Sequence, residues 1–449
     1  MGSGTLDEPH NRKSGELPVT STSTPAGVPV VPVADPLSLF LANHRASLPK
    51  TRGIKRFNAG EHAWLASRGA DKACERLKKE RGIQVDRQLF ESIARKDKRE
   101  MLQYGELVAL SGDFYESPKA LFYETPSPLP WLWEANDLSD LRKVFVRELE
   151  WIEKRLATEK GGSPYPDENL KLAWNAKSYV ELALRNVDHF GWHNLCAYAR
   201  HHEAALELAV ASGGRENETF RCALYTNAFA DHFLTDGFAA GHIRVPRAEI
   251  CTWAEREGLS DKIAGALSKL LHDQDGHVHS VHGEPSEEHR DAADGLRVRD
   301  AEGDEWHTYC DGQLFLERSA QSPAVMHAVD AVSDSVFELL VAWQRRELPK
   351  GPYVASRRVP FPHPDSPTLA QKFPADMPQA DFDRLFNSVA WYAKVPWISG
   401  LQPEHLRALF AALPQIMADF RANVEAASVR PEIATRLDPG YIAAYRKIA

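Results

Sequence analysis

The chain has 449 residues, with 54 Lys and Arg against 63 Asp and Glu for a formal charge of −9, and 43% hydrophobic residues. That balance describes a folded globular protein with material for a large core and excludes a chain of disordered composition. No apolar run approaches the roughly 18 residues of a spanning helix, and the mild acidity offers no electrostatic basis for salt-sensitive binding to nucleic acid.

Residues 1 to about 50 are rich in Ser, Thr, Pro and Gly, including AGVPVVPVADP at 26–36, and read as a disordered, mobile N-terminal tail. The tail shows no basic segment followed by an apolar run, so no Sec signal is expected; the protein is then cytoplasmic or exported by a leaderless secretion route. From 51 to 348 the chain reads as one large domain. Helical periodicity predicts helices over 137–157, 168–190, 196–212, 216–241 and 322–346. A short hairpin is predicted over 295–310, turning at Glu302-Gly303-Asp304. The Pro-rich stretch 349–378 reads as a linker, and 379–449 as a C-terminal helical region whose amphipathic segment HLRALFAALPQIMADFRANVEAA is expected to pack on the preceding domain. The predicted fold class is all-α, a multi-helix domain with a short hairpin and a C-terminal helical extension. Five cysteines, an odd number without a CxxC pair, signal neither a disulfide framework nor a thiolate zinc knuckle.

Histidine placement carries the functional signal. Twelve of the 18 histidines lie between His189 and His307, against about five for an even spread. A single histidine is usually a surface or satisfied core residue, but histidines grouped with carboxylates at helical spacing point to metal ligation. The sharpest segment is DHFLTDGFAAGH at 231–242. On one continuous helix His232 and Asp236 differ by about 40° and His232 and His242 by about 80°, so the three share a face, with the small Gly237, Ala239, Ala240 and Gly241 between them. Upstream, one of His189, His193, His201 and His202 can complete a three-ligand set; His189, at a helix end, is preferred, and the other three read as solvated or supporting. Downstream, His272 and Asp275 are three apart and join His242 as two histidines and one carboxylate with open positions, a hydrolytic rather than structural zinc arrangement. His277, His279, His282 and His289 read as a mobile, solvated loop. Asp113 in YGELVALSGDFY and Glu61-His62 in FNAGEHAWL put donors at element termini, where acidic residues more commonly serve as caps and turn formers.

The His-x3-Asp-x5-His spacing of His232, Asp236 and His242 resembles the helix that supplies zinc ligands in the superfamily of bacterial zinc-dependent phospholipases C and fungal single-strand nucleases. YGELVALSGDFY, ELALRNVDHFGWHNLCAYARHHEAAL, NAFADHFLTDGFAAGH and LSKLLHDQDG, in that order within roughly residues 55–345, look most like the phosphatidylcholine-hydrolysing phospholipases C of Gram-negative bacteria, a group associated with virulence. The resemblance implies an all-helical fold with two to three Zn2+ ions in a cleft. It assigns His189, His232 and Asp236 to one ion and His242, His272 and Asp275 to a second. The family's later ligand pair is often His-x3-Glu; position 276 is Gly here, so Asp275, or Asp273, must serve. Asp113 would bridge two ions and take the proton of the attacking water. The third ion, held by a processed N-terminal Trp in better-known members, would take His62, beside Glu61.

The activity so implied is hydrolysis of the glycerol–phosphate ester of a phosphatidylcholine-like phospholipid by a zinc-bound hydroxide, giving diacylglycerol and a phosphorylated head group. Trp192 and Tyr225 would line the head-group pocket, and the partner would be a phospholipid membrane surface, not nucleic acid. A nuclease of the same superfamily would need a basic, base-stacking groove that the sequence lacks. A non-catalytic, metal-stabilised module would need closed four-ligand sites.

Overall fold

The protein is described here by a computed structural model covering residues 59–95, 101–123, 138–157, 187–276, 295–317, 320–389, 394, 399–440 and 442–443. Helices dominate: α1 (Ala59–Arg81), α2 (Tyr104–Leu110), α3 (Pro118–Tyr123), α4 (Leu138–Ala157), α5 (Gly191–Ala211), α6 (Glu218–Asp236), α7 (Ala240–Arg244), α8 (Arg247–Arg256) and α9 (Asp261–Gln274). They are followed by α10 (Pro323–Arg345), α11 (Gln379–Ser388) and α12 (Pro403–Ser428). Two-residue strands β1 (Ile93–Ala94) and β2 (Met101–Leu102) pair antiparallel, and β3 (Leu296–Arg299), β4 (Glu305–Thr308) and β5 (Phe361–Pro362) form a small antiparallel sheet in the order β4-β3-β5. The fold is the expected all-α, multi-helix arrangement with a short hairpin.

Helix α6 is the hub. Asn217 caps its N-terminus by accepting the Phe220 N–H at 3.0 Å, and every residue from Ala223 to Asp236 is buried. A helix enclosed on all faces must satisfy its polar side chains internally. α5, α10, α2 and α1 surround it. On the face towards α2 and α10, Asp231 accepts from Tyr104 Oη at 2.7 Å, Asn227 Nδ2 at 3.2 Å and Ser335 Oγ at 2.5 Å, tying three helices together without a cation.

Residues 137–157 and 322–346 were expected as helices and form α4 and α10 within a residue or two at each end. The predicted helix over 168–190 lies mostly outside the described residues; its last part, Val187–His189, is a single 3-10 turn. The helix predicted to run from 216 to 241 stops at Asp236, for reasons given below. The N-terminal tail, 1–50, also lies outside the described residues.

The Pro-rich stretch 349–378 is not a linker. Its prolines cap and turn a segment that buries Tyr353, Val359, Phe361, Leu369 and Phe373 and adds β5 to β3 (Val298 opposite Pro362, Arg299 opposite Phe361). A proline at a sheet edge forfeits no ladder hydrogen bond, so this placement costs little. The helices that follow join the same core rather than a separate domain. α12 packs on α8 and α9 and buries Leu409, Phe410, Leu413, Ile416, Met417, Phe420 and Val424, and Asn423 donates to Glu249 of α8 at 2.7 Å. Among the described residues no helix is long and apolar enough to cross a membrane.

Because Phe420 is fully enclosed, with its ring beside Gly191 at the start of α5, Phe420→Ala is expected to lower stability by about 3–5 kcal/mol. The change should appear as one cooperative transition in denaturant; a separate early transition would show that the C-terminal helices fold apart from the rest.

Candidate metal centre

Eight donor residues converge from seven segments. α1 brings His62, the turn after α2 brings Asp113, and the 3-10 turn before α5 brings His189. The C-terminal turn of α6 brings His232 and Asp236, α7 brings His242, α9 brings His272, and the segment leaving β4 brings Asp311. Asp236, the last residue of α6, stands at the middle. His62 Nε2 and His242 Nε2 lie 3.5 and 3.8 Å from its Oδ1, while His189 Nδ1 and His232 Nε2 lie 2.8 and 3.7 Å from its Oδ2. Beside this group, Asp311 Oδ2 is 3.0 Å from His272 Nε2 and 3.6 Å from His242 Nε2.

Three sets of donors are thereby formed: His189, His232 and Asp236; His242, His272 and Asp311; and His62, Asp113 and His232, with His232 common to the first and third. Ligands bound about 2.0–2.1 Å from a tetrahedral ion stand about 3.3 Å apart. The separations observed straddle that value. Nε2 of His242, Nε2 of His272 and both carboxylate oxygens of Asp311 are buried and make no hydrogen bond among the described residues. Buried polar atoms are rarely left in that state, and here they face a common point.

The nitrogen each ring presents is determined by what its other nitrogen meets. His232 Nδ1 donates to the Val108 carbonyl at 3.1 Å, and His242 Nδ1 to the His189 carbonyl at 2.8 Å. His272 Nδ1 donates to the Asp273 carboxylate at 2.9 Å. His62 Nδ1 meets Thr235 Oγ1 at 2.7 Å; that hydroxyl's proton is directed to the carbonyls of Asp231 and His232, so the oxygen accepts from the imidazole. All four rings are thus locked in the tautomer that leaves an Nε2 lone pair for the centre, the outer-shell pattern of metal-ligating histidines.

The charges follow from the same geometry. Burial opposes ionisation of Asp236, but His242, His232 and His189 override it and hold the carboxyl well below the usual range. Asp311 likewise pays burial yet is held low by His272 and His242. Burial drives the His62 imidazole well down, with His232 adding to the effect, and it lowers His232 itself. His242 goes the other way: burial disfavours its charge, but Asp236 and Asp311 lift it to about 9. Two enclosed carboxylates favour positive charge beside them.

Close packing surrounds the donors. Gly112, beside Asp113, has φ of +73°, and a Cβ there would stand 2.6 Å from His232 Cδ2 and 2.9 Å from His189 Cε1. Gly241 lets α7 approach α9: a Cβ there would meet His272 Cδ2 at 2.4 Å. Phe190 stacks on His242 at 4.7 Å, and Phe233 stands edge-on to His189 at 4.8 Å.

Seven of the eight metal-site residues predicted from sequence, His62, Asp113, His189, His232, Asp236, His242 and His272, are brought together here. The eighth, Asp275, is not. It occupies the C-cap of α9, and its oxygens take a bidentate pair from Arg244 (2.8 and 2.8 Å) and a third contact from Lys372 at 3.2 Å. Helix α9 ends at Gln274, so the three-residue spacing of His272 and Asp275 does not put both on one helix face. The carboxylate in its expected place is Asp311, which follows the hairpin. Asp273 orients His272 from behind and is itself held by Lys269. Glu61 is not a donor to the centre; its carboxylate accepts the N–H groups of Gly312 and Leu314 at 2.9 and 3.2 Å and so anchors the loop carrying Asp311.

His242 also arrives differently from the expectation. α6 stops at Asp236 and Gly237 caps it; Phe238 gives its carbonyl to Thr308 Oγ1, and Ala240 N–H goes to the Tyr309 carbonyl at 2.9 Å. The hairpin end therefore breaks what the sequence presents as one helix, and His242 returns to the centre on α7. Trp192 and Tyr225 do not line an opening: they are 1% and 0% exposed, embedded in the helix packing. Of the remaining histidines, His202 is buried between Asn227 and Glu338, His201 stacks on Phe233 with burial lowering it to about 4, and His193 pairs with Glu249. His277, His279, His282 and His289 lie outside the described residues.

No family model, curated protein or solved structure matches the chain.

The Asp275–Arg244 pair is fully enclosed, so Asp275→Asn, which leaves the guanidinium buried beside a neutral partner, is expected to cost about 3–5 kcal/mol. Burial opposes the charge on Asp275, but Arg244 and Lys372 hold its carboxyl down to about 2. A depressed carboxyl stabilises the fold above the unfolded value near 4 and loses that contribution as pH falls towards 2. Urea titrations of the two proteins should therefore differ most above pH 5 and converge at the acid end; a constant difference across that window would refute the assignment.

Proposed function

We propose that the protein is a zinc-dependent phosphodiesterase of the phospholipase C type. The observation that carries the reading is the set of three donor triads around Asp236, built from buried imidazoles of which four turn Nε2 inward. Neutral imidazole and carboxylate donors suit zinc, and three protein donors per set leave positions for water and substrate. Zinc bound there would supply Lewis acidity towards phosphoryl oxygens and an acidified water near neutral pH.

His189, His232 and Asp236 would hold one ion, His242, His272 and Asp311 a second, and His62, Asp113 and His232 a third. Asp113 is 9% exposed, the most accessible of the donor carboxylates. It is the group placed to accept a proton from the attacking water and to return one to the departing alkoxide. Asp236 and Asp311 are more deeply enclosed and held ionised by their imidazoles, which fits them to retain cations rather than to move protons. The choice of a phospholipid over other phosphodiesters rests on the resemblance of the four sequence segments given above. The acidic chain, without a basic groove in its sequence, supports the same choice.

The test is zinc per chain by elemental analysis, together with release of phosphocholine from phosphatidylcholine vesicles before and after chelation. Two to three zinc ions at the central donors and chelator-sensitive release that returns with added zinc are expected. Asp311→Asn should lose zinc and activity together. Asp113→Asn should keep at least two ions while kcat falls by about 10²–10⁴-fold. Zinc with cleavage of single-stranded nucleic acid but not lipid would replace the phospholipase reading with a nuclease; absence of zinc would end both.

A further inference from the structure

The tip of the β3–β4 hairpin gathers a donor set of its own, apart from the centre around Asp236. Asp300, directly after β3, is 0% exposed. Its Oδ1 accepts the N–H groups of Glu302, Gly303 and Asp304 at 2.9, 2.8 and 3.0 Å. Its Oδ2 makes no hydrogen bond among the described residues. That unsatisfied oxygen is directed towards His327 on α10, whose Nδ1 lies 3.8 Å away, while His327 Nε2 lies 4.0 Å from Asp304 Oδ2. One ligand atom from each of Asp300, Asp304 and His327 lies within 4.8 Å of the other two.

A carboxylate oxygen enclosed without a partner is costly, and no Arg or Lys pairs with it among the described residues. Arg358 is committed to Asp334 and reaches Glu302 at 3.9 Å. Among the described residues His327 is the one ion-pair partner of Asp300. The imidazole plane is itself held, stacked on Trp306 at 4.1 Å and 7°. His327 can offer one nitrogen to an ion; that atom and one oxygen from each carboxylate lie within 4.8 Å of one another, the span that bonds of about 2.0–2.4 Å to a common ion can bridge.

We propose that Asp300, Asp304 and His327 form a second, independent divalent-cation site. One imidazole with two carboxylates suits a first-row transition ion of the zinc or manganese kind rather than an all-oxygen calcium cage. Asp304, with a side chain 65% exposed, opens the remaining positions to water. Occupied, the site ties the hairpin tip to α10. β4 runs from that tip to the segment carrying Asp311, so the ion would steady the hairpin at the end opposite the His/Asp centre.

The experiment uses the full-length chain, stripped with a chelator, dialysed, and titrated with Zn2+ alone. Bound zinc is counted by elemental analysis after removal of the excess, and affinity is read by calorimetry. Asp304→Asn, at an exposed position where folding is not at stake, and His327→Gln are each expected to bind one zinc fewer per chain than the wild type, or to hold that one at least tenfold more weakly. The difference of one stands whether the central donor set binds several ions or none, which separates this proposal from the phospholipase reading. Equal stoichiometry and affinity in the wild type and both variants would overturn it.

Discussion

The structure turns on one buried carboxylate. Asp236, 1% exposed at the end of an enclosed helix, is held ionised by imidazoles from the turn before α5, α6 itself and α7, with His62 of α1 3.5 Å away. An uncompensated charge there would cost far more than a few contacts return. Segments distant in sequence must therefore meet at that point, and the helices are arranged to bring them. One turn back on the same helix, Asp231 meets a comparable burial without any cation: three neutral donors bind it, and burial still pushes its carboxyl up to about 7. The two acids of α6 thus illustrate separate solutions. Asp231 knits helices together with hydrogen bonds, whereas Asp236 is left facing a set of lone pairs that only a proton or a cation can reconcile.

The parts that hold the donors do double duty. Thr235 Oγ1 closes onto the backbone of its own helix and accepts His62 Nδ1, so the last turn of α6 orients a ring from α1. On α1 the neighbouring Glu61 anchors Gly312 and Leu314, so one helical turn places both His62 and the loop of Asp311. Hydrogen bonds of this kind decide which imidazole nitrogen faces inward. A centre whose rings were free to flip would present a mixture of donors and acceptors instead of a uniform set of ligands.

Much of this was legible in the sequence because it is local. The His232–Asp236 pair is one helical turn apart, and a face set by four-residue spacing survives folding. His189 at an element end and the paired strands about Glu302-Gly303-Asp304 were readable for similar reasons. What failed was long-range. DHFLTDGFAAGH carries no proline to mark a break, and the interruption after Asp236 comes from the hairpin end, through Thr308 and Tyr309, which no local pattern announces. The sequence points to Asp275, or Asp273, because these adjoin His272, and Asp311 is not among its candidates. The deciding facts, the end of α9 at Gln274 and the approach of Arg244, belong to tertiary structure. A signal for Asp311 did exist: Asp311-Gly312 directly follows the strand that must return to the core, a position where a buried carboxylate needs a purpose. The aromatic choices, Trp192 and Tyr225, failed because a large apolar ring on an enclosed helix is core unless the packing opens beside it, and there it does not.

The position of the carboxylates within the centre also bears on how the proposed chemistry would be divided. A group that moves protons must change its protonation near the working pH and must reach water, whereas a group that retains cations should resist protonation. Asp236 and Asp311 meet the second condition: each is enclosed and each is held ionised by at least two imidazoles. Asp113 is set differently, on a turn whose Gly112 allows the backbone to pass against His232 and His189, and it lies closer to solvent than either. On the proposed reading this separates the roles by depth, with the interior acids fixing charge and the rim acid exchanging protons. It also explains how an acidic chain can take an anionic substrate. The positive charge a phosphodiester requires would come from cations held in a neutral-imidazole and carboxylate cradle, not from a surface patch of lysine and arginine, so the sign of the whole protein is no guide to the sign of its site.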